Sequence, residues 1–231
     1  MKITVVYGQN HKGSTYYVAR MLAEKLDGEI TEIFLPRDFG EFCVGCANCI
    51  LRDAKYCPHA EALQPLTQKL DEADVIILAS PVYVYHATGS MKAFLDHYGW
   101  RWMVHRPERS MFRKQAVCIS TAAGAGMKST LKDMADSLWF WGVGRVYRYG
   151  LAVYAINYGH MSEKKKQDVD RKTTALAKKI KARDGKVQPS LKTKAFFTMM
   201  HLVRSKKPSD DADGTYWKQQ GWTGSKRPWK D

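Results

Sequence analysis

The chain has 231 residues, 45% of them hydrophobic, and a formal net charge of +14. That length and composition bound it to one sizeable core, or one domain with an extension. No stretch reaches the roughly 18 uncharged apolar residues of a membrane helix. The opening "MKITVVYG" is a β-type run without a signal-peptide pattern, so a cytoplasmic protein with reduced thiols is expected.

Predicted strands and helices alternate. "KITVVYG" (2–8) reads as a buried strand, and "STYYVARMLAEKLDG" (14–28) as an amphipathic helix with Ser14 as N-cap and Gly28 as stop. A second strand, 29–36, precedes a cysteine-rich insertion. Helix 61–73, with Pro65 near its start, leads into the apolar strand 74–84. Helix 88–102, strand 115–126, helix 127–142, strand 145–156 and helix 162–183 follow. This order predicts an α/β fold with a five-stranded parallel sheet covered on both faces, spanning residues 1–186. Residues 187–231 form a separate extension: a linker, an amphipathic helix and a Trp-rich tail. Three exposed tryptophans would be costly, so the tail is expected to dock on the body or on a partner subunit.

The charge is uneven. Residues 161–231 carry 19 Lys/Arg against 8 Asp/Glu, and residues 1–160 carry 18 against 15. The basic helix "KKKQDVDRKTTALAKKIKARDGK" reads as a solvated face with Leu176, Ala177 and Ile180 turned inward. No nucleic-acid motif accompanies the charge, so nucleic acid is not expected as a partner.

In a doubly wound sheet the ligand lies outside the C-terminal strand ends. The first strand runs into "GQNHKGST", whose small residues and following helix N-terminus suit an anion. It is neither a Walker loop nor a dinucleotide fingerprint. The third strand ends in "SPVYVYHATG", an aromatic rim, and the fourth in "STAAGAG", a small-residue shelf. Each also reads as ordinary strand-exit packing. Together they suit a phosphate-bearing flat ring, for which FMN is the natural fit.

The segments "YGQNHKGST", "ADVIILASPVYVYHATGSMKAFLDH" and "ISTAAGAG" resemble the flavin-contacting segments of the flavodoxin-like NAD(P)H-dependent FMN reductases. The likeness covers roughly residues 1–185; Gln9, Asn10 and His11 depart from that family's usual Ser-Pro-Arg start. The resemblance implies a flavodoxin-like fold, bound FMN and NAD(P)H as co-substrate. It places Gly8, Gln9, His11, Ser14 and Thr15 at the phosphate. Pro81, Val82, Tyr83 and Val84 would flank the ring, and Thr121, Ala122, Ala123, Gly124 and Gly126 its pyrimidine side. It also implies a homodimer or dimer of dimers. His86 is a candidate proton donor or gate, against a structural reading. Arg101 or Arg106, in "HYGWRWMVHRP", could meet a nicotinamide phosphate or a substrate carboxylate, or serve a dimer interface. The electron acceptor is a small molecule (quinone, nitro compound, flavin) or a protein. The competing reading is a non-catalytic flavodoxin-like or iron–sulfur flavoprotein electron carrier; simple flavodoxins are shorter and acidic.

"FCVGCANCILRDAKYCPHA" spaces Cys43, Cys46, Cys49 and Cys57 as C-x2-C-x2-C-x7-C and resembles the loop of the iron–sulfur flavoprotein branch. A [4Fe-4S] cluster and a metal-free wall over the flavin compete on equal terms. Zinc and a Cys46–Cys49 redox pair rank below them. Cys118, inside a strand, is expected to be a buried small hydrophobe.

Overall fold

The computed structural model describes residues 1–155, 157–206 and 209–230. Ile156, Lys207, Pro208 and Asp231, assigned above to the fifth strand, the last helix and the tail, lie outside the described residues. The chain runs β1 (Lys2–Tyr7), α1 (Ser14–Leu26), β2 (Glu29–Phe34), α2 (Asn48–Leu51), α3 (Ala60–Glu72), β3 (Val75–Pro81) and α4 (Gly89–Asp96). It continues through β4 (Gln115–Ala122), α5 (Met127–Phe140), β5 (Arg145–Ala152), α6 (Glu163–Lys181), α7 (Leu191–Lys206) and α8 (Ala212–Gln219).

The five strands form one parallel sheet in the order β2-β1-β3-β4-β5, the flavodoxin-like doubly wound arrangement. Side-chain alternation divides each strand between two cores. Val6, Ile76, Leu78 and Cys118 face α3, α4 and α5, meeting Leu66, Leu70, Phe94 and Leu138. Ile3, Val5, Ile77 and Val117 face α1 and α6, meeting Leu22, Val169, Ala177 and Ile180. Burial on both faces explains why β3 reads as an unbroken apolar run. It also pushes the Cys118 thiol up to about 12, so that cysteine stays a neutral core residue.

Several boundaries differ from the sequence expectation. Gly13, not Ser14, is the N-cap of α1, and the left-handed residue closing that helix is Asp27 (φ 58°), one before Gly28. Pro65 lies inside α3. Helix α4 stops at Asp96 because His97 and Tyr98 donate to carbonyls three residues back, tightening the chain into a 3₁₀ turn at Gly99–Arg101. β3, β4 and β5 end at Pro81, Ala122 and Ala152, so the predicted strand ends are loops at the sheet's C-terminal edge.

Residues beyond α6 build a third apolar cluster. Phe197 of α7, Trp217 of α8, Trp222 and Trp229 enclose Phe112 and Met103 of the preceding body. Phe197 stacks on Trp217 with ring centroids 4.9 Å apart, and the Trp217 indole N–H donates to the His105 carbonyl at 2.6 Å. These rings thus lie against their own body. Phe197→Ala is expected to lower the unfolding free energy by about 3–5 kcal/mol in urea denaturation followed by tryptophan fluorescence.

Candidate functional site

At the C-terminal edge of the sheet a cleft of about 300 Å³ opens between the exits of β1, β3, β4 and β5. Gln9, His11, Ser14, Thr15, Pro81, Val82, Tyr83, Thr121, Ala122 and Ala123 all line it. So do Gly13, Val153 and Ala155, which the sequence reading missed. Only the strand order, which sets β5 beside β4, brings Val153 and Ala155 there.

The N-terminus of α1 faces this cleft without a side-chain cap and with no acidic residue in its first turn. Its first intrahelical bond runs from the Tyr17 N–H to the Gly13 carbonyl. The N–H groups before it have no partner within the helix, and the helix dipole adds partial positive charge there. Beneath, the hydroxyls of Thr15 and Thr121 pair at 2.7 Å and are buried. They join β4 to α1 as a floor.

The β1 and β3 exits are tied together. Thr88 Oγ1 donates to the Gly8 carbonyl at 2.5 Å and accepts from the Met91 N–H at 3.2 Å, capping α4. A Cβ at Gly8 would lie 2.7 Å from that hydroxyl, so Gly8 is a close-approach glycine behind the cleft and not part of its lining.

Between Pro81 and Thr88 the chain makes a two-residue hairpin. Tyr83 and His86 exchange both backbone bonds at 3.0 Å, with Val84 (φ 48°) and Tyr85 (φ 66°) at the tip. This twist ordinarily takes Asn-Gly, and a β-branched valine there is strained by about 1–3 kcal/mol. Surrounding bonds hold the turn: Tyr83 Oη donates to Gln9 Oε1 at 2.9 Å, and Ser129 Oγ donates to the Tyr85 carbonyl. Asp133 Oδ2 lies 3.0 Å from His86 Nδ1 and accepts from the Ala87 N–H. The outcome is an apolar rim, with Val84 95% and Tyr85 66% exposed. Gly126 (φ 95°) sits beneath it as the N-cap of α5, where a Cβ would meet Val82 Cγ1 at 2.6 Å. Val84, Gly124 and Gly126 therefore lie around the rim rather than in the cleft lining.

On the shelf, the carbonyls of Thr121, Ala122 and Ala123 are taken by the N–H groups of Val82, Val153 and Tyr154. Tyr154 is exposed, and Lys165 at the start of α6 lies 4.3 Å from its ring centroid. An uncapped helix N-terminus, an apolar rim and a shelf with its acceptors engaged fit a phosphate-bearing planar cofactor such as FMN. Arg101 and Arg106 do not reach this cleft. Arg101 is buried against Asp71 at 2.5 Å, and Arg106 against Asp213 at 2.5 Å.

The cysteine loop has free thiols: Cys43 and Cys46 are exposed, and Cys49 and Cys57 half-buried. Burial pushes the Cys49 thiol up, and the neighbouring Cys57, Cys43 and Cys46 push it further. Four cysteines at this spacing supply the donor chemistry that a metal would neutralise. A second donor set lies beside it, where ligand atoms of Cys57, His59 and His97 lie within 4.8 Å of one another. His97 Nδ1 is bonded to the Ala93 carbonyl at 2.7 Å, which leaves Nε2 facing His59 Nδ1 at 2.9 Å. The run Cys-Pro-His at 57–59 was the available sequence signal; nothing local announced His97.

A family model described as NADPH-dependent FMN reductase matches residues 1–155. An iron-sulfur flavoprotein of Archaeoglobus fulgidus is 26% identical over 200 residues, covering 84% of this chain and 85% of that protein. An iron-sulfur flavoprotein of Methanosarcina thermophila is 25% identical over 142 residues, covering 59% and 72%. The solved NAD(P)H:quinone oxidoreductase from Methanothermobacter marburgensis superposes with a TM-score of 0.60 at 16% identity, over 76% of this chain and 96% of that one. At that identity the likeness shows the shared fold.

Val84→Gly relieves the hairpin tip and is expected to raise the stability of the flavin-free protein by about 1 kcal/mol in thermal denaturation.

Proposed function

The chain belongs to the NADPH-dependent FMN reductase family, and on that footing we propose that it is an FMN-dependent oxidoreductase that takes hydride from NADH or NADPH. Its acceptor would be a quinone, a nitro compound, free flavin or a protein. The observation that carries this reading is the uncapped α1 N-terminus opening onto a cleft lined by Tyr83, Val82 and the shelf of residues 121–123. FMN, when bound, supplies the two-electron chemistry at its ring.

The first turn of α1 would bind the phosphate through its free N–H groups, with Lys12 adding charge and His11 a ring nitrogen at the cleft. Pro81, Val82 and Tyr83 would flank the ring and exclude water from one side. N–H groups of residues 123–126 would meet negative charge gathered at the ring's pyrimidine edge. His86, its Nδ1 oriented by Asp133, stands at the rim, where it could hold a proton for a bound acceptor. The exposed tyrosines at 83, 85 and 154 would receive a planar nicotinamide or quinone by stacking.

At the cysteine loop, Cys43, Cys46, Cys49 and Cys57 would hold an iron–sulfur cluster as a one-electron partner of the flavin. The name borne by the curated relatives and the C-x2-C-x2-C-x7-C spacing support this. The Cys57–His59–His97 grouping supports a second reading, a mononuclear nitrogen–sulfur site of the zinc class. Metal analysis after anaerobic purification separates them: iron with acid-labile sulfide supports the cluster, and zinc without sulfide supports the mixed site.

For the flavin, the anaerobically purified protein should show flavin bands that NADH or NADPH bleaches. A protein that binds no added FMN and oxidises no NAD(P)H would overturn the proposal, and one that holds flavin but is indifferent to NAD(P)H would be a carrier. Ser14→Asp places a carboxylate where the phosphate is proposed, although an acid in a first turn favours the helix itself. FMN affinity should fall about tenfold or more while riboflavin, which has no phosphate, binds as before; fluorescence titration with both ligands checks this.

A further inference from the structure

The cysteine loop has little to hold its own shape. Residues 40–47 form no helix or strand, and α2 is a single turn with no buried residue and no side-chain cap. Phe42, Val44 and Leu51 are exposed. The geometry of its sulfurs must therefore be imposed from outside.

The imposing group is Arg106. The residue is buried, 6% exposed, and its guanidinium donates to the Cys49 carbonyl and, at 3.0 Å, to the Ile50 carbonyl. These lie in the single turn of α2, whose last carbonyls lack helical partners of their own. A planar fork can hold two such acceptors at once, and a buried guanidinium must itself be paired. Its partner is Asp213 of α8, at 2.5 Å.

Asp213 is a hub. Its carboxylate also meets His105 Nδ1 at 2.7 Å and the Arg204 guanidinium of α7 at 3.1 Å. Arg204 further donates to the Val104 carbonyl, and Tyr216 Oη donates to the Pro107 carbonyl at 2.7 Å. One carboxylate thus faces two guanidiniums directly behind the thiol-bearing turn. The family model ends at residue 155, and both α7 and α8 lie beyond it.

We propose that the C-terminal extension is a working part of the cysteine site: Asp213 is a positioning residue that, through Arg106, holds Cys49 in its metal-binding place. The metal is the one proposed above for this loop, but the clamp itself is a contact of the protein and can be tested without metal.

The full-length protein is stripped with chelator under reductant and treated with iodoacetamide, and Cys49 labelling is followed by mass spectrometry against exposed Cys43 as internal reference. Asp213→Asn keeps the shape and removes the charge. It should raise the Cys49 to Cys43 labelling ratio about tenfold, as expected for losing charged hydrogen bonds. Metal-reconstituted Asp213→Asn should retain less metal and show an altered visible spectrum, with Asp213→Glu restoring both in part. If Asp213→Asn unfolds the extension by circular dichroism, Arg106→Lys, which keeps the charge but cannot span both carbonyls, carries the same test. An unchanged labelling ratio in a folded variant overturns the clamp. A wild-type protein that takes up neither iron nor zinc overturns the metal reading alone, because the labelling ratio still decides the clamp.

Discussion

The cleft depends on one hydrogen bond, from the Thr88 hydroxyl to the Gly8 carbonyl at 2.5 Å. It joins the exits of β1 and β3, neighbours in the sheet whose chains diverge once the ladder ends. The same hydroxyl caps α4, and the Thr88 N–H is held by Ser80 Oγ at 3.0 Å. With Thr88 pinned, the hairpin of residues 83–86 has a fixed root, and its strained tip can be held by Gln9, Ser129 and Asp133. A side chain at Gly8 would push these loops apart. The separation between the helix N-terminus of α1 and the aromatic rim therefore rests on a glycine that does not line the cleft.

Helix capping differs along the chain. α4, α6 and α8 begin with side-chain caps from Thr88, Ser162 and Asp211. α1 and α5 begin with Gly13 and Gly126 and have no such cap. Capped helices satisfy their own first turn, whereas uncapped ones leave N–H donors for something else. α2 and α3 lack such caps too, but α1 and α5 are the ones that start at the C-terminal edge of the sheet, after β1 and β4. The protein forgoes roughly 1 kcal/mol of capping at each and retains donors where an anionic ligand would sit.

The fold was largely legible in the sequence. The β3 run "VIILASP" and the alternation of strands with amphipathic helices follow from burial on both faces of the sheet, a local and periodic signal. The ten cleft residues in "GQNHKGST", "PVY" and "TAA" were legible because topology brings strand exits to one edge. Strand ends were less legible, since apolar residues such as Val82 and Val84 continue the pattern while the chain has already turned. Val84 and Tyr85 carry no turn signal, because their left-handed conformation is imposed by neighbours and not by their own preference. Arg101 or Arg106 read equally as a ligand-binding cation or as part of a dimer interface; the structure buries both against carboxylates from α3 and α8.

The sequence by itself determined the parallel sheet, its covering helices and the presence of a thiol set at C-x2-C-x2-C-x7-C spacing, because periodicity and spacing are properties of neighbouring residues. Only the tertiary structure decided how that thiol loop is held. Arg106 and Asp213 stand 107 residues apart, and no local pattern announces that one carboxylate will gather two guanidiniums behind Cys49. Nor does local pattern show that His97, in the turn after α4, comes to face His59 and Cys57. A buried charge must find its partner wherever the fold brings one, and that choice is made by packing across the chain.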